Sequence, residues 1–166
     1  MKKLLISFIL ISIVIFSGCS KKEEVLYDFK TDYVGDNSKV SQIVYKQKYP
    51  KNFEPGEIKI LSEKEPYGLK VFCKNYNDIK KEELFKNAAT TLSLIKNLAN
   101  LYYVDEEEKE IFTFTRSEVE EKLQKENMSL DKISENEESL RKFINNQREE
   151  LIFSLPHFYK LSLQCL

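Results

Sequence analysis

Residues 1–19 decide how much of this chain remains to fold into a domain. Two lysines follow Met1, an apolar stretch runs from Leu4 to Phe16, and small residues lead from there to Cys19. A basic start, a short apolar core and a small-residue exit are typical of a secretory signal peptide. The stretch is shorter than the roughly 20 residues that an apolar helix needs to span a membrane. We therefore predict that residues 1–18 are a signal peptide and are removed.

The four residues Phe16-Ser17-Gly18-Cys19 resemble the lipobox of bacterial lipoproteins, although Phe16 stands where Leu is usual. This resemblance implies that Cys19 receives a diacylglyceryl group on its sulfur, since a thiolate is a good nucleophile for alkylation. Each buried methylene of such a lipid adds about 0.8 kcal/mol of membrane affinity. The sequence thus predicts a lipid anchor on the extracytoplasmic face of the cell membrane. The alternative is an uncleaved N-terminal anchor.

Without the signal peptide, 148 of the 166 residues remain. We predict that residues 19–29 hold the lipidated cysteine and a tether, and that residues 30–166 form a single domain with a sizeable core. The polar run 20–24 begins the tether, and residues 25–29 alternate as a short strand would. Acidic and basic residues nearly balance, at a net charge of −1, and interleave along the chain. This balance excludes the basic stripe that nucleic-acid binding requires.

Four short segments have the alternating apolar pattern of strands, and each pair is joined by a turn. The segments are residues 58–62, 69–73, 102–104 and 111–115. Pro66 and Gly68 suit the first turn. The second turn contains the acidic run 105–108, which lacks the alternate oxygens and central glycine of an EF-hand loop. We interpret this run as a solvated turn and not as a calcium site.

Helical spacing of apolar residues accounts for most of the remaining chain. Helices are predicted after the capping residues 36–38, over 82–100, after Thr115 and over 137–153, with a break at 128–136. Thr115 and Glu118 fit a capping box, and Pro50 and Pro156 end helices. The final residues, 159–165, would form an edge strand or a loosely docked tail. This order predicts an α+β fold: a mainly antiparallel sheet of two β-hairpins with helices packed on it.

Three motifs resemble those of a bacterial family, the domain of unknown function 4825 (DUF4825), and they occur in the same order. They are Lys30-Thr31-Asp32-Tyr33-Val34-Gly35-Asp36-Asn37-Ser38-Lys39-Val40, Glu65-Pro66-Tyr67-Gly68-Leu69 and Leu92-Ser93-Leu94-Ile95-Lys96-Asn97. Asp32 stands where the family usually has Pro. The resemblance covers residues 25–123 and leaves 124–166 as a helical C-terminal extension and tail. It implies an extracytoplasmic module of Gram-positive bacteria, alone or attached to membrane metallopeptidases of the antibiotic-sensor type, and it brings no activity.

The polar and aromatic loops of these motifs supply candidate contact residues, because loops displayed by a rigid scaffold often carry binding function. We name Tyr33, Asn37 and Tyr67 as contacts to a ligand or partner. The alternative is structural: Gly35 and Gly68 would permit turns, residues 36–38 would cap a helix, and Tyr67 would fill a core edge.

Cys73 and Cys165 are the cysteines left beside Cys19. Outside the cytoplasm they are candidates for a disulfide. Two separate buried thiols are the alternative, because unpaired cysteine usually behaves as a small apolar core residue. A thiol count on the native, non-reduced protein distinguishes the two.

The sequence carries no catalytic constellation that we would assign. His157 is the only histidine, and it lies beside Pro156. The S-x-x-K pattern of penicillin-recognising enzymes occurs at residues 129–132 and 139–142, without its companion motifs. We therefore predict that the protein is not an enzyme and has neither a metal site nor a cofactor.

The sequence best fits a lipid-anchored binding module. We expect it to contact a membrane sensor protein or an envelope ligand through its exposed aromatic turns. A cell-envelope hydrolase that works through carboxylates such as Glu65 or Asp36 is the alternative, and a structural spacer is a third. Two acids converging in a concave pocket would favour the hydrolase.

Overall fold

The computed structural model describes residues 25–154, with side chains through Asn145. The signal peptide, Cys19 and the run 20–24 lie outside the described residues. So do His157, the alternating tail and Cys165.

A four-stranded sheet forms the centre of the structure. Its strands are β1 (Glu54–Leu61), β2 (Gly68–Asn75), β3 (Asn100–Val104) and β4 (Glu110–Thr115). They lie side by side in chain order, and β1 with β2 and β3 with β4 pair antiparallel as the two predicted hairpins. The central pair, β2 with β3, is parallel. The sheet is therefore mixed. The two predicted hairpins are antiparallel, but the prediction missed the parallel pair between them.

The parallel pairing explains why a helix separates the two hairpins. Parallel neighbours need a crossover of a dozen or more residues, since the chain must return to the end of the sheet at which it started. Here the crossover contains a 3₁₀ helix, Lys81–Leu84, and an α-helix, α2 (Phe85–Leu94). The other α-helices are α1 (Asn37–Tyr45), α3 (Arg116–Gln124), α4 (Leu130–Ile133) and α5 (Glu137–Ser154).

Two predicted elements differ in the structure. Residues 25–29 do not form a strand: Leu26–Phe29 is a 3₁₀ helix, and the Asp28 carboxylate accepts a hydrogen bond from the Val25 amide at 3.2 Å. Residues 128–136 are not simply a break, because they include α4. The Ser129 hydroxyl caps that short helix by accepting from the Lys132 amide. Both differences come from side chains that hydrogen-bond the nearby backbone.

Helix α2 ends at Leu94, although the apolar pattern continues to Ala99. The pattern predicts helix to about residue 100, but after Leu94 the backbone turns extended, with φ −116° and ψ 98° at Ile95. At this point Thr31 pairs with the chain at Ile95 in a parallel bridge. Its amide donates to the Leu94 carbonyl at 2.9 Å, and its carbonyl accepts from the Lys96 amide at 3.0 Å.

The core lies between one face of the sheet and the helices. The sheet supplies Leu69, Val71 and Leu101, and α2 is buried from Asn87 through Leu94. The later helices contribute to this same cluster. Their buried side chains are Val119, Leu123, Leu130, Ile133 and Leu140. The C-terminal helices are therefore part of the core of the domain.

Candidate functional site

The loop 31–36, which we call the Tyr33 loop, is fixed to the chain segment that follows α2. Besides the two Thr31 bonds, the Val34 amide donates to the Asn97 Oδ1 at 2.7 Å. The Val34 side chain is buried. An exposed ion pair between Asp32 and Lys96, at 3.9 Å, lies along the same seam. The first and third sequence motifs therefore meet here, although about 60 residues separate them.

Hydrogen bonds within the loop fix its shape. The Tyr33 amide donates to the Thr31 hydroxyl at 3.3 Å, and the Tyr33 carbonyl accepts from the Asp36 amide at 3.1 Å. Asp36 then caps α1, because its carboxylate accepts from the Lys39 amide at 3.2 Å. The loop thus has a defined conformation before it meets any ligand.

The Tyr33 side chain is nevertheless 70% exposed. Within the described range, it and Tyr45, at 50%, are the large hydrophobic side chains that are exposed. Between them, the exposed side of α1 carries one charged residue, Lys39, and otherwise uncharged polar residues. The uncharged residues are Asn37, Ser38, Ser41 and Gln42. This side has few charges and two exposed tyrosines, and depletion of charge with enrichment of Tyr is typical of protein interfaces.

Tyr33 and Asn37 are both exposed and lie four residues apart, whereas Tyr67 is placed differently. Asn37 begins α1 four residues after Tyr33 and is exposed, and its carbonyl accepts from the Ser41 hydroxyl at 2.6 Å. Tyr67 is half-buried and packs against the core. Its carbonyl accepts from the amides of Ala99 at 2.9 Å and Asn100 at 3.1 Å. This position favours the structural interpretation of Tyr67.

Arg116 is the residue of this region that sequence reasoning missed. Its guanidinium donates to the carbonyl oxygens of Leu92, Ile95 at 2.7 Å and Leu98 at 2.8 Å. These carbonyls lie where α2 ends and the chain turns toward β3, so they have lost regular helical partners. Burial lowers the pKa of Arg116 from its usual value. The acceptors are backbone carbonyls, which every residue has, so no sequence pattern could have predicted these bonds.

Of the two motif glycines expected to permit turns, Gly35 lies in the turn before α1 and Gly68 is the first residue of β2. No described glycine has a positive φ. A Cβ on Gly68 would lie 3.1 Å from the Tyr102 ring and 3.2 Å from the Leu61 side chain, so close packing accounts for this glycine. A Cβ on Gly35 would meet nothing within 4 Å. The backbone at Gly35 therefore faces open space.

The two carboxylates named for a hydrolase occupy separate places. Asp36 caps α1, and Glu65 is an exposed residue of the β1–β2 turn. A cleft of about 540 Å³ opens elsewhere and contains other acids. Its lining includes Asn52, Phe53, Glu54, Asn75 and Asp78. The Glu54 carboxylate accepts from the side-chain Nδ2 of Asn75 at 3.3 Å.

The acidic turn before β4 is held by hydrogen bonds and ion pairs. Asp105 accepts from the Glu107 and Lys109 amides at 3.0 and 2.8 Å. Glu108 accepts from Lys59 at 2.8 Å and Lys70 at 2.7 Å, and these bonds lower its pKa to about 2. Within residues 25–145, no group of three or more His, Cys, Asp or Glu side chains is arranged to hold a metal ion.

Cys73 lies in the core on β2 and is 2% exposed. Burial raises the pKa of its thiol to about 12. Because Cys165 is outside the described residues, the disulfide between the two stays a prediction.

Comparison with known proteins gives one match. A family model described as a domain of unknown function (DUF4825) matches residues 26–115, which is more than half of the chain. No curated protein and no solved structure matches the chain. Among the helices of the described part, none is long and apolar enough to cross a membrane.

Proposed function

The chain belongs to the DUF4825 family, and on that premise we propose that it is a lipid-anchored, non-catalytic module that binds a protein partner through the Tyr33 loop. The lipid at Cys19 would hold it at the outer face of the cell membrane. A membrane sensor protein is the first candidate partner.

One observation carries the proposal: Tyr33 is 70% exposed on a loop whose backbone is fixed. Bonds to Leu94, Lys96 and Asn97 hold the loop from outside. A loop ordered in advance loses little conformational entropy when a partner binds. Tyrosine is among the residues that contribute most at the centres of interfaces. An exposed tyrosine on a backbone held in this way is therefore well suited to anchor a complex.

The surroundings of Tyr33 support the same proposal. The outward side of α1 is uncharged from Asn37 to Tyr45 apart from Lys39, whose ammonium group bonds the Lys30 carbonyl at 3.4 Å and lies 4.0 Å from Asp36. A partner could cover this side without removing many charges from water, which is costly unless each charge is paired. Gly35 adds open space where a partner side chain can approach the loop backbone.

The proposal can be tested by crosslinking in intact cells. A photoreactive phenylalanine analogue would replace Tyr33 in one strain and Lys64, in the exposed β1–β2 turn, in a control strain. We expect one discrete crosslinked membrane protein from position 33 and none from position 64. Tyr33→Ala should then lower the affinity for that protein about 30-fold, because a hot-spot residue contributes about 2 kcal/mol.

Two results would contradict the proposal. One is an identical set of crosslinked products from both positions. The other is turnover of a cell-envelope substrate by the purified protein that Glu65→Gln or Asp36→Asn abolishes, which would favour the hydrolase. Crosslinking to glycan and to no protein would redirect the proposal to an envelope ligand.

A further inference from the structure

The short tether and the packing of residues 25–30 limit how the domain can be oriented relative to the membrane. We propose that the domain lies on the bilayer with the C-terminal end of α1 against the lipid headgroups and the Tyr33 loop pointing away from them. This arrangement rests on the lipid anchor at Cys19, which is part of the proposed function. It names a lipid surface as the occupant of the exposed surface around Tyr45.

The tether sets the distance between anchor and domain. Val25, the first described residue, lies six residues after Cys19. Since an extended chain spans at most about 3.6 Å per residue, Val25 stays within about 20 Å of the acylated cysteine. The surface around Val25 is therefore the described part of the domain with the shortest chain connection to the bilayer.

The contacts of residues 27–30 show which part of the domain this is. The Lys46 ammonium group, at the end of α1, lies 5.3 Å from the centre of the Phe29 ring. The Tyr27 hydroxyl donates to the Glu135 carbonyl at 3.1 Å, and the Lys30 ammonium group donates to the carbonyl of Ser134. The 3₁₀ helix Leu26–Phe29 and Lys30 thus lie between the C-terminal end of α1 and the α4–α5 connection.

From this point the chain runs back along α1 to the Tyr33 loop. The Lys30 carbonyl accepts from Lys39 at 3.4 Å, near the first turns of α1, and the loop then leads into the helix at Asn37. Nine residues at 1.5 Å each make α1 about 13 Å long. The tether end and the Tyr33 loop therefore lie at opposite ends of this helix.

The surface at the tether end suits a headgroup region. Tyr45 is 50% exposed, and its amphipathic ring belongs to the class of side chains enriched at membrane–water interfaces. Lys48 is exposed three residues further on and can reach lipid phosphates on its flexible stem. Asp28 and Glu135 are also exposed at this end, so the tyrosine and the tether, more than net charge, identify the surface.

The chain contains no tryptophan, so one introduced tryptophan reports on one position. Tyr45→Trp and Tyr33→Trp are matched reporters at the two ends of α1, and Lys48→Trp is a second reporter at the tether end. Each full-length lipoprotein would be purified from membranes, and its acylation verified by intact mass. Each would then be reconstituted into phosphatidylcholine–phosphatidylglycerol vesicles with and without headgroup spin-labelled lipid. Matching circular dichroism spectra would show that the variants fold alike.

We expect the spin label to remove most of the fluorescence of the Tyr45→Trp and Lys48→Trp proteins and to leave that of Tyr33→Trp nearly unchanged. Equal quenching at both ends, or stronger quenching at position 33, in acylated protein would overturn the orientation alone. A mass without acyl chains would overturn the anchor and the orientation together. Crosslinking from position 33 tests partner binding separately.

Discussion

The guanidinium of Arg116 donates to the carbonyl oxygen of Ile95 at 2.7 Å, although Arg116 begins α3 and Ile95 follows the end of α2. The same group also reaches the carbonyls of Leu92 and Leu98. The Arg116 backbone amide donates to the Ala99 carbonyl at 2.8 Å. One residue thus stabilises the turn from α2 into β3, against which the Tyr33 loop is fixed.

Arg116→Ala should lower the free energy of unfolding by about 2–4 kcal/mol, because it removes three charged hydrogen bonds and leaves the Leu92 and Leu98 carbonyls without their side-chain donor. Arg116→Lys should recover only part of this loss, since an ammonium group lacks the planar fork of donors. Urea unfolding followed by circular dichroism measures both. Full stability in the alanine variant would show that water satisfies these carbonyls equally well.

Asn97→Ala should destabilise the domain by about 1 kcal/mol, because the Val34 amide loses its acceptor. Asn97→Asp keeps the Oδ1 acceptor and is the matched control. Amide hydrogen exchange at Val34 should accelerate in the alanine variant and stay slow in the aspartate variant. Unchanged exchange in both would show that the loop does not depend on this bond.

These two residues show where sequence reasoning stopped. The spacing of Val40, Ile43 and Val44 correctly predicted the buried face of α1, and local alternation predicted both hairpins. Contacts between distant segments were missed. The helical pattern of apolar residues continues to Ala99. The helix itself ends at Leu94, where Thr31 pairs with Ile95.

The mixed sheet was missed for a related reason. Each hairpin is local, and its pairing follows from a turn and an alternating pattern. The parallel register, with Leu69 beside Leu101 and Val71 beside Tyr103, joins strands on either side of the α2 crossover. Nothing in either strand alone distinguishes a parallel from an antiparallel neighbour. The exposure of Tyr33 could be anticipated from its loop, whereas the rigidity of that loop depends on Asn97.

The two motif glycines should respond oppositely to alanine. Gly35→Ala meets open space at an ordinary φ, so we expect no loss and a gain of up to about 1 kcal/mol from reduced entropy of the unfolded chain. Gly68→Ala pushes against Tyr102 and Leu61 and should cost about 1–3 kcal/mol. Thermal unfolding of both variants checks this, and equal shifts would contradict it.

Glu108→Gln should reduce stability at neutral pH and make no difference in strong acid. Hydrogen bonds from Lys59 and Lys70 lower the folded-state pKa of Glu108 to about 2, from an ordinary 4.5. A lowered carboxyl pKa stabilises the fold above the ordinary value, and this contribution disappears as pH falls through about 2. The melting temperatures of wild type and variant should therefore converge between these pH values. A constant difference would contradict the role of the ionised carboxylate.

Cys73 should resist alkylation in the native protein. With a pKa of about 12, only about one thiol in ten thousand is ionised near pH 8, and the thiolate is the reactive form. Iodoacetamide followed by peptide mapping should label Cys73 only after unfolding. If Cys73 stays unlabelled after unfolding without reductant and becomes labelled with it, the predicted bridge to Cys165 is present. Rapid native labelling would contradict its burial.

The later helices determine how the domain can be shortened. The family match stops at residue 115, but Val119, Leu123, Ile133 and Leu140 fill the same interior as the matched strands. A fragment that ends at residue 115 would expose a large apolar surface to water and would be prone to aggregate. Expression trials and searches for minimal binding units should therefore retain the chain at least through Leu140.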